Sequence, residues 1–127
     1  MKHYSSDKYS IAWFKLAECV SRKEKERAMG VYRLLVHSIA DEALAAQLEG
    51  DLLLSFDDDA ANTKYKKAVE LYCKQKRFAL AVGVCEHILL LRPHDSWPHQ
   101  KLIDLYQLMG VTLRQEEIKK QLDKLGR

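Results

Sequence analysis

Ala46-x₂-Glu49-Gly50-x₂-Leu53, followed by Ala61-x₃-Tyr65, decides the fold. The same spacing stands earlier in the chain as Trp13-x₂-Leu16-Ala17-x₂-Val20, followed by Ala28-x₃-Tyr32. The shift that carries Trp13 onto Ala46 aligns three blocks, 10–42, 43–75 and 76–108. Ala17, Gly50 and Gly83 share one column, and Trp13, Ala46 and Ala79 another. Val36, Val69 and Leu102 share a third. Self-similarity at such a period signals stacked supersecondary units. A column of small residues predicts close helix–helix crossings there, and an aromatic column predicts rings filling the gap between successive units.

Working outward, the apolar spacing is helical almost everywhere. Ile11, Phe14, Cys19 and Val20 predict a first helix from about Asp7 to Val20. Ser21-x₂-Glu24 has the form of a capping box opening a second helix through Ala28, Val31, Tyr32, Leu35 and Val36. A third runs from about Asp41 to Phe56 on Leu44, Leu48, Leu52 and Phe56. Asp57-Asp58-Asp59 ends it and starts a fourth, since carboxylates in a first turn favour the helix dipole. The fourth carries Ala61, Tyr65, Ala68, Val69 and Tyr72; the fifth carries Leu80, Val84, Ile88 and Leu91 and stops at Pro93. Asp95 caps a sixth, which accepts Pro98 in its first turn and ends at Gly110. Thr112-x₂-Gln115 is a second capping-box candidate, opening a last helix with Leu113, Ile118, Leu122 and Leu125. No segment alternates with period two over a strand length. The expectation is an all-α fold of about seven helices with short joints.

Composition agrees. Of 127 residues, 47% are hydrophobic and 31% charged, which is globular and not disordered. A chain of this length makes one domain, 1–127, that buries a core without a disulfide framework or structural metal. The net charge of +3 implies no polyanionic partner. Three cysteines, Cys19, Cys73 and Cys85, make an odd set without C-x-x-C, each among apolar helical neighbours. They read as small buried hydrophobes in a reducing compartment, most simply the cytoplasm. The start, Met1 to Asp7, is polar and lacks the apolar core of a signal peptide, and no run approaches a membrane span.

These blocks resemble the tetratricopeptide repeat (TPR), whose pattern is W-x₂-L-G-x₂-Y, then A-x₃-F, then P. The resemblance covers residues 10–108. The third block keeps Val82-Gly83, but Glu86 stands for the aromatic, and His94 and Pro98 stand for the later alanine and aromatic. A rival frame fits the second half: Tyr65-x₂-Ala68-Val69-x₂-Tyr72, Ala81-x₃-Cys85 and a closing Pro93. The fourth helix satisfies both frames, which differ in which helices face inward. The resemblance implies antiparallel helical hairpins stacked as a short right-handed solenoid. In the first frame residues 109–127 are a capping helix, with Arg114, Glu116, Glu117, Lys120 and Lys124 on its polar face.

Catalytic and metal chemistry find little purchase. His94 and His99 are five residues apart and share a helical face poorly; Cys85 and His87, two apart, point to different sides. The aspartate triplet lacks the alternation and glycine of an EF-hand loop. There is no glycine-rich phosphate loop or nucleophile elbow, and Glu18, Glu49 and Asp51 are solvated or groove-lining carboxylates. No cofactor, metal or small-molecule substrate is expected, and an enzyme is the third choice. Nucleic-acid binding is the second. It would use the basic face around Lys64, Lys66 and Lys67 with Lys74, Lys76 and Arg77, beside a first cluster, Arg22 to Arg27, that Glu24 and Glu26 dilute.

What the TPR resemblance implies is a protein partner, held in a heteromeric complex on the concave surface. In the first frame that groove is lined by Phe14 and Glu18, then Gln47, Asp51 and Leu54, then Leu80, Val84 and His87. It mixes apolar and acidic groups and lacks the Lys and Asn set with which TPR domains clamp a carboxylate, so an amphipathic helix with apolar anchors is the expected occupant. In size the chain looks like the small TPR-type chaperones of bacterial type III secretion systems.

Overall fold

The computed structural model describes residues 3–126, with side chains from Ser10 onward. The readings that fall on Met1, Lys2 and Arg127 lie outside the described residues. Among the described residues seven α-helices follow in order: α1 (His3–Ser21), α2 (Lys25–Leu35), α3 (Glu42–Ser55), α4 (Ala60–Lys74), α5 (Phe78–Leu91), α6 (Ser96–Met109) and α7 (Thr112–Leu125). A single 3₁₀ turn, Val36–Ser38, extends α2. The fold is all-α, with no strand among the described residues, and neighbouring helices α1 and α2, α5 and α6, and α6 and α7 pack together. No helix of the described residues is long and apolar enough to cross a membrane.

The joints explain the element order. α1, α3, α4 and α6 each close with the same paired hydrogen bonds: Glu24 N to Cys19 O and Lys23 N to Val20 O; Asp58 to Leu53 and Asp57 to Leu54; Arg77 to Tyr72 and Lys76 to Cys73; Val111 to Tyr106 and Gly110 to Gln107. This is the Schellman ending, which needs one residue in the left-handed region. Lys23, Asp57, Lys76 and Gly110 occupy it, at φ 59°, 53°, 59° and 73°. The step from Lys23 to Asp57 equals the step from Lys76 to Gly110. Helix starts are capped by Asp41, whose side chain accepts from Leu44 N, by Asp58 from Ala60 N and by Asp95 from Trp97 N.

The two proposed capping boxes do not form. Ser21 is the last residue of α1, and Glu24, the N-cap of α2, makes no side-chain cap bond. The Schellman turn after α1 uses up the residues the box would need. At α7 the N-cap is Val111, and Gln115 turns inward, its Nε2 donating to the Ile103 carbonyl at 3.4 Å.

The chain divides into two compact units, Met1–Lys64 and Tyr65–Arg127. Unit 1 is built on Leu16, Cys19, Ala28, Tyr32, Leu35 and Leu52, with Trp13, Val20, Leu48 and Phe56 partly buried against them. The Lys25 ammonium donates to Asp58 at 2.7 Å, tying the start of α2 to the cap of α4. Unit 2 buries Tyr65, Ala68, Val69 and Tyr72 of α4, Ala81, Val84, Cys85 and Ile88 of α5, Leu102, Leu105 and Tyr106 of α6, and Ile118 of α7. Burial of each large side chain stabilises by about 1.5–3 kcal/mol.

The small-residue column behaves differently from expectation. Gly50 is buried within α3. Ala17 is exposed, and a Cβ added at Gly83 would meet nothing within 4 Å. The crossing predicted at those two positions is therefore absent: α5 buries the face carrying Ala81, Val84, Cys85 and Ile88 and turns Gly83 to solvent. In unit 2 the buried set is that of the Tyr65 frame, and its two Schellman turns end α4 and α6.

Candidate functional cleft in unit 1

Positions 13, 16, 17 and 20 repeat at helical spacing, so Trp13, Leu16, Ala17 and Val20 form one stripe along α1. α3 turns Leu48, Asp51, Leu52 and Ser55 toward it, and Tyr32 of α2 closes the floor. Between these walls lies an open, mainly apolar cleft of about 320 Å³. Ala17 lines it with a single methyl group, so a side chain as long as leucine there would project into it.

The floor is fixed by polar contacts. The Tyr32 hydroxyl donates to the Ala45 carbonyl on α3. Burial, with Glu49 nearby, pushes the Tyr32 phenol up to about 12, so it remains a neutral donor. Glu49 itself pairs with Lys64 at 3.5 Å. At the rim Ser55 Oγ donates to the Asp51 carbonyl at 3.0 Å. The cleft is thus apolar in its depth and acidic at one edge.

Of the residues expected to line a groove, Asp51 is in this cleft. Phe14 and Glu18 are exposed on α1, one position beyond its stripe. Gln47 and Leu54 are half-buried on α3 and do not line it. The other three lie on α5 in unit 2. Leu80 is exposed. Val84 is only 3% exposed and belongs to the core of unit 2, so it lines no open surface. His87 is half-buried, its ring edge-on to Tyr65 with centroids 5.1 Å apart. Trp13, Leu16, Val20, Leu48 and Leu52 were missed because the repeat columns read as packing, and a helical stripe can both touch a core and border a cleft. The signal was available: Ala17 is a small residue amid bulky ones.

Part of the basic face is engaged locally. Lys66 lies over the Trp97 ring at 5.1 Å, Arg77 over Tyr72 at 4.8 Å, and Lys101 pairs with Glu70 at 2.6 Å. All three cysteines are free. Burial pushes the Cys85 thiol up to about 12 and raises Cys73, which opposes thiolate formation. No group of three or more His, Cys, Asp or Glu residues that could hold a metal occurs among the described residues.

Compared with known protein families, curated proteins and solved structures, the chain finds no match.

Proposed function

We propose that this chain is a TPR-like, non-catalytic protein-binding module that takes an apolar-anchored segment of a partner, an amphipathic helix, in the cleft between α1 and α3. The observation that carries this is the cleft itself: a stripe of Trp13, Leu16 and Val20 facing Leu48 and Leu52, with Asp51 at the rim. Apolar depth supplies affinity, and an acidic edge selects a segment with a basic flank. The TPR reading is supported by helical hairpins whose equivalent turns recur at one interval in each unit, from Lys23 to Asp57 and from Lys76 to Gly110. A chaperone holding an aggregation-prone subunit, such as one awaiting type III secretion, is the concrete form of this role that the chain's size suggests. Free thiols agree with a reducing, cytoplasmic setting. Nucleic-acid binding gains nothing from a basic face whose Lys64 and Lys66 already have local partners.

Selection from a displayed random-peptide library on the full chain tests the reading. Recovered peptides should carry apolar residues at helical spacing. Ala17→Leu fills the cleft and should weaken their binding about thirtyfold or more, the effect of excluding one anchor worth about 2 kcal/mol. Ala17→Ser should leave it intact. Peptides indifferent to Ala17→Leu but lost with Leu80→Asp would move the site to α5 and overturn the assignment.

A further inference from the structure

Two contacts fix the direction of α6 against α4 in unit 2. Lys66 lies over Trp97, and Lys101 pairs with Glu70. The step from 66 to 97 equals the step from 70 to 101, so one turn forward on α4 is matched by one turn forward on α6. The two helices therefore lie side by side and run the same way, and their C-terminal turns emerge at one end of the unit. Lys74 comes level with Leu105, so α6 continues about one helical turn, ~6 Å, past it.

That end has an unusual surface. The α6–α7 turn presents Leu108, Met109, Val111 and Leu113, with Leu108 65% and Leu113 89% exposed. The α4–α5 turn beside it presents Lys74 and Lys76, both exposed. No carboxylate occurs from Lys74 to Phe78 or from Gln107 to Leu113. The amides of Gly110 and Val111 are bonded to the Gln107 and Tyr106 carbonyls.

We propose that this end of unit 2 docks on an anionic lipid bilayer surface, the apolar turn entering the headgroup boundary and the cationic turn meeting lipid phosphates and carboxylates. Shape and charge both select that occupant. An apolar tip leading a cationic shelf by ~6 Å matches the depth of about 5–10 Å at which interfacial segments sit. Anionic headgroups complement a shelf without carboxylates. Four apolar side chains fall far short of the roughly 20–30 residues a side of a stable protein interface, which argues against a second copy. Nucleic acid would use the shelf and leave the leucines idle.

The test is co-sedimentation of the full chain with phosphatidylcholine vesicles, with and without phosphatidylserine. Binding should require phosphatidylserine and weaken with salt. Leu113→Glu should reduce it about tenfold or more, from the loss of one inserted leucine. Lys74→Ser with Lys76→Asn should reduce it about 25-fold, at about fivefold per charge; asparagine tolerates the left-handed conformation at 76. Circular dichroism confirms that each variant keeps its helicity, and the exposed sites make misfolding a poor explanation of any loss. Absence of binding to phosphatidylserine vesicles overturns the proposal. So does binding that Leu113→Glu leaves unchanged, which marks a general polyanion site. Self-association abolished by Leu113→Glu, without vesicle binding, marks a contact between copies and overturns it equally. Ala17→Leu should not alter vesicle binding, which keeps this result separate from that of the unit 1 cleft.

Discussion

Gly83→Ala should stabilise the protein, although the repeat alignment predicts the opposite. By that alignment Gly83 sits in a close helix–helix crossing, and any added atom would clash. In the structure the new Cβ would meet nothing within 4 Å. Only the backbone effect is left. Gly83 lies in the interior of α5, where glycine is less favourable than alanine by about 0.8–1.0 kcal/mol. Gly30, inside α2, is also open to a Cβ, and it lies in the other unit. With no shared neighbours the two gains should add, so Gly30→Ala with Gly83→Ala should stabilise by about 1.6–2 kcal/mol. Gly50 supplies the contrast: it is buried in α3, and Gly50→Leu should cost about 1–3 kcal/mol by overpacking, beyond its propensity gain. Thermal melts followed by the helical signal in far-ultraviolet circular dichroism read each effect; 1 kcal/mol corresponds to roughly 3–6 °C at this chain length. A lower Tm for Gly83→Ala would refute the open environment of α5 and restore the crossing.

Two further outcomes follow from the packing and the charges. Ile118 is 1% exposed and is, with Gln115 at 9%, one of the two buried residues of α7. Ile118→Ala should therefore cost about 2–5 kcal/mol in urea unfolding and speed hydrogen exchange across α7; a cost under about 0.5 kcal/mol would mean that α7 contributes little to unit 2. The hydrogen bond from Lys25, helped by the Ala60 amide, holds the Asp58 carboxyl below its usual range. A lowered folded-state pKa gives stability that is present above the unfolded value, about 4, and lost as pH falls through the folded value. The stability gap between the native chain and Asp58→Asn should thus be full at neutral pH and shrink below pH ~4. A gap that is constant with pH would show that the ion pair is not the cause.

Helix number, order and most boundaries are legible in the chain because they depend on near neighbours along it. The i, i+3, i+4 spacing of Ala28, Val31, Tyr32 and Leu35, the Asp41 and Asp95 caps, the Pro93 stop and the Gly110 ending are local, and all appear in the structure. The Ser21 capping box failed for an equally local reason, since Lys23 took the left-handed conformation, which nothing about a lysine announces; the Thr112 box failed because Gln115 turned to the Ile103 carbonyl of α6. The face each helix hides is another matter. α5 is apolar nearly all round, so its own pattern cannot say that Val84 goes inside while Leu80 and Gly83 stay out. Nor could α1 say that Trp13 and Ala17, and not Phe14 and Glu18, border a cleft. Those choices are made by helices distant in sequence. Burial is a property of the assembled surfaces, and the free energy that selects one face over another appears only when α2 and α3, or α6 and α7, have come to lie against them.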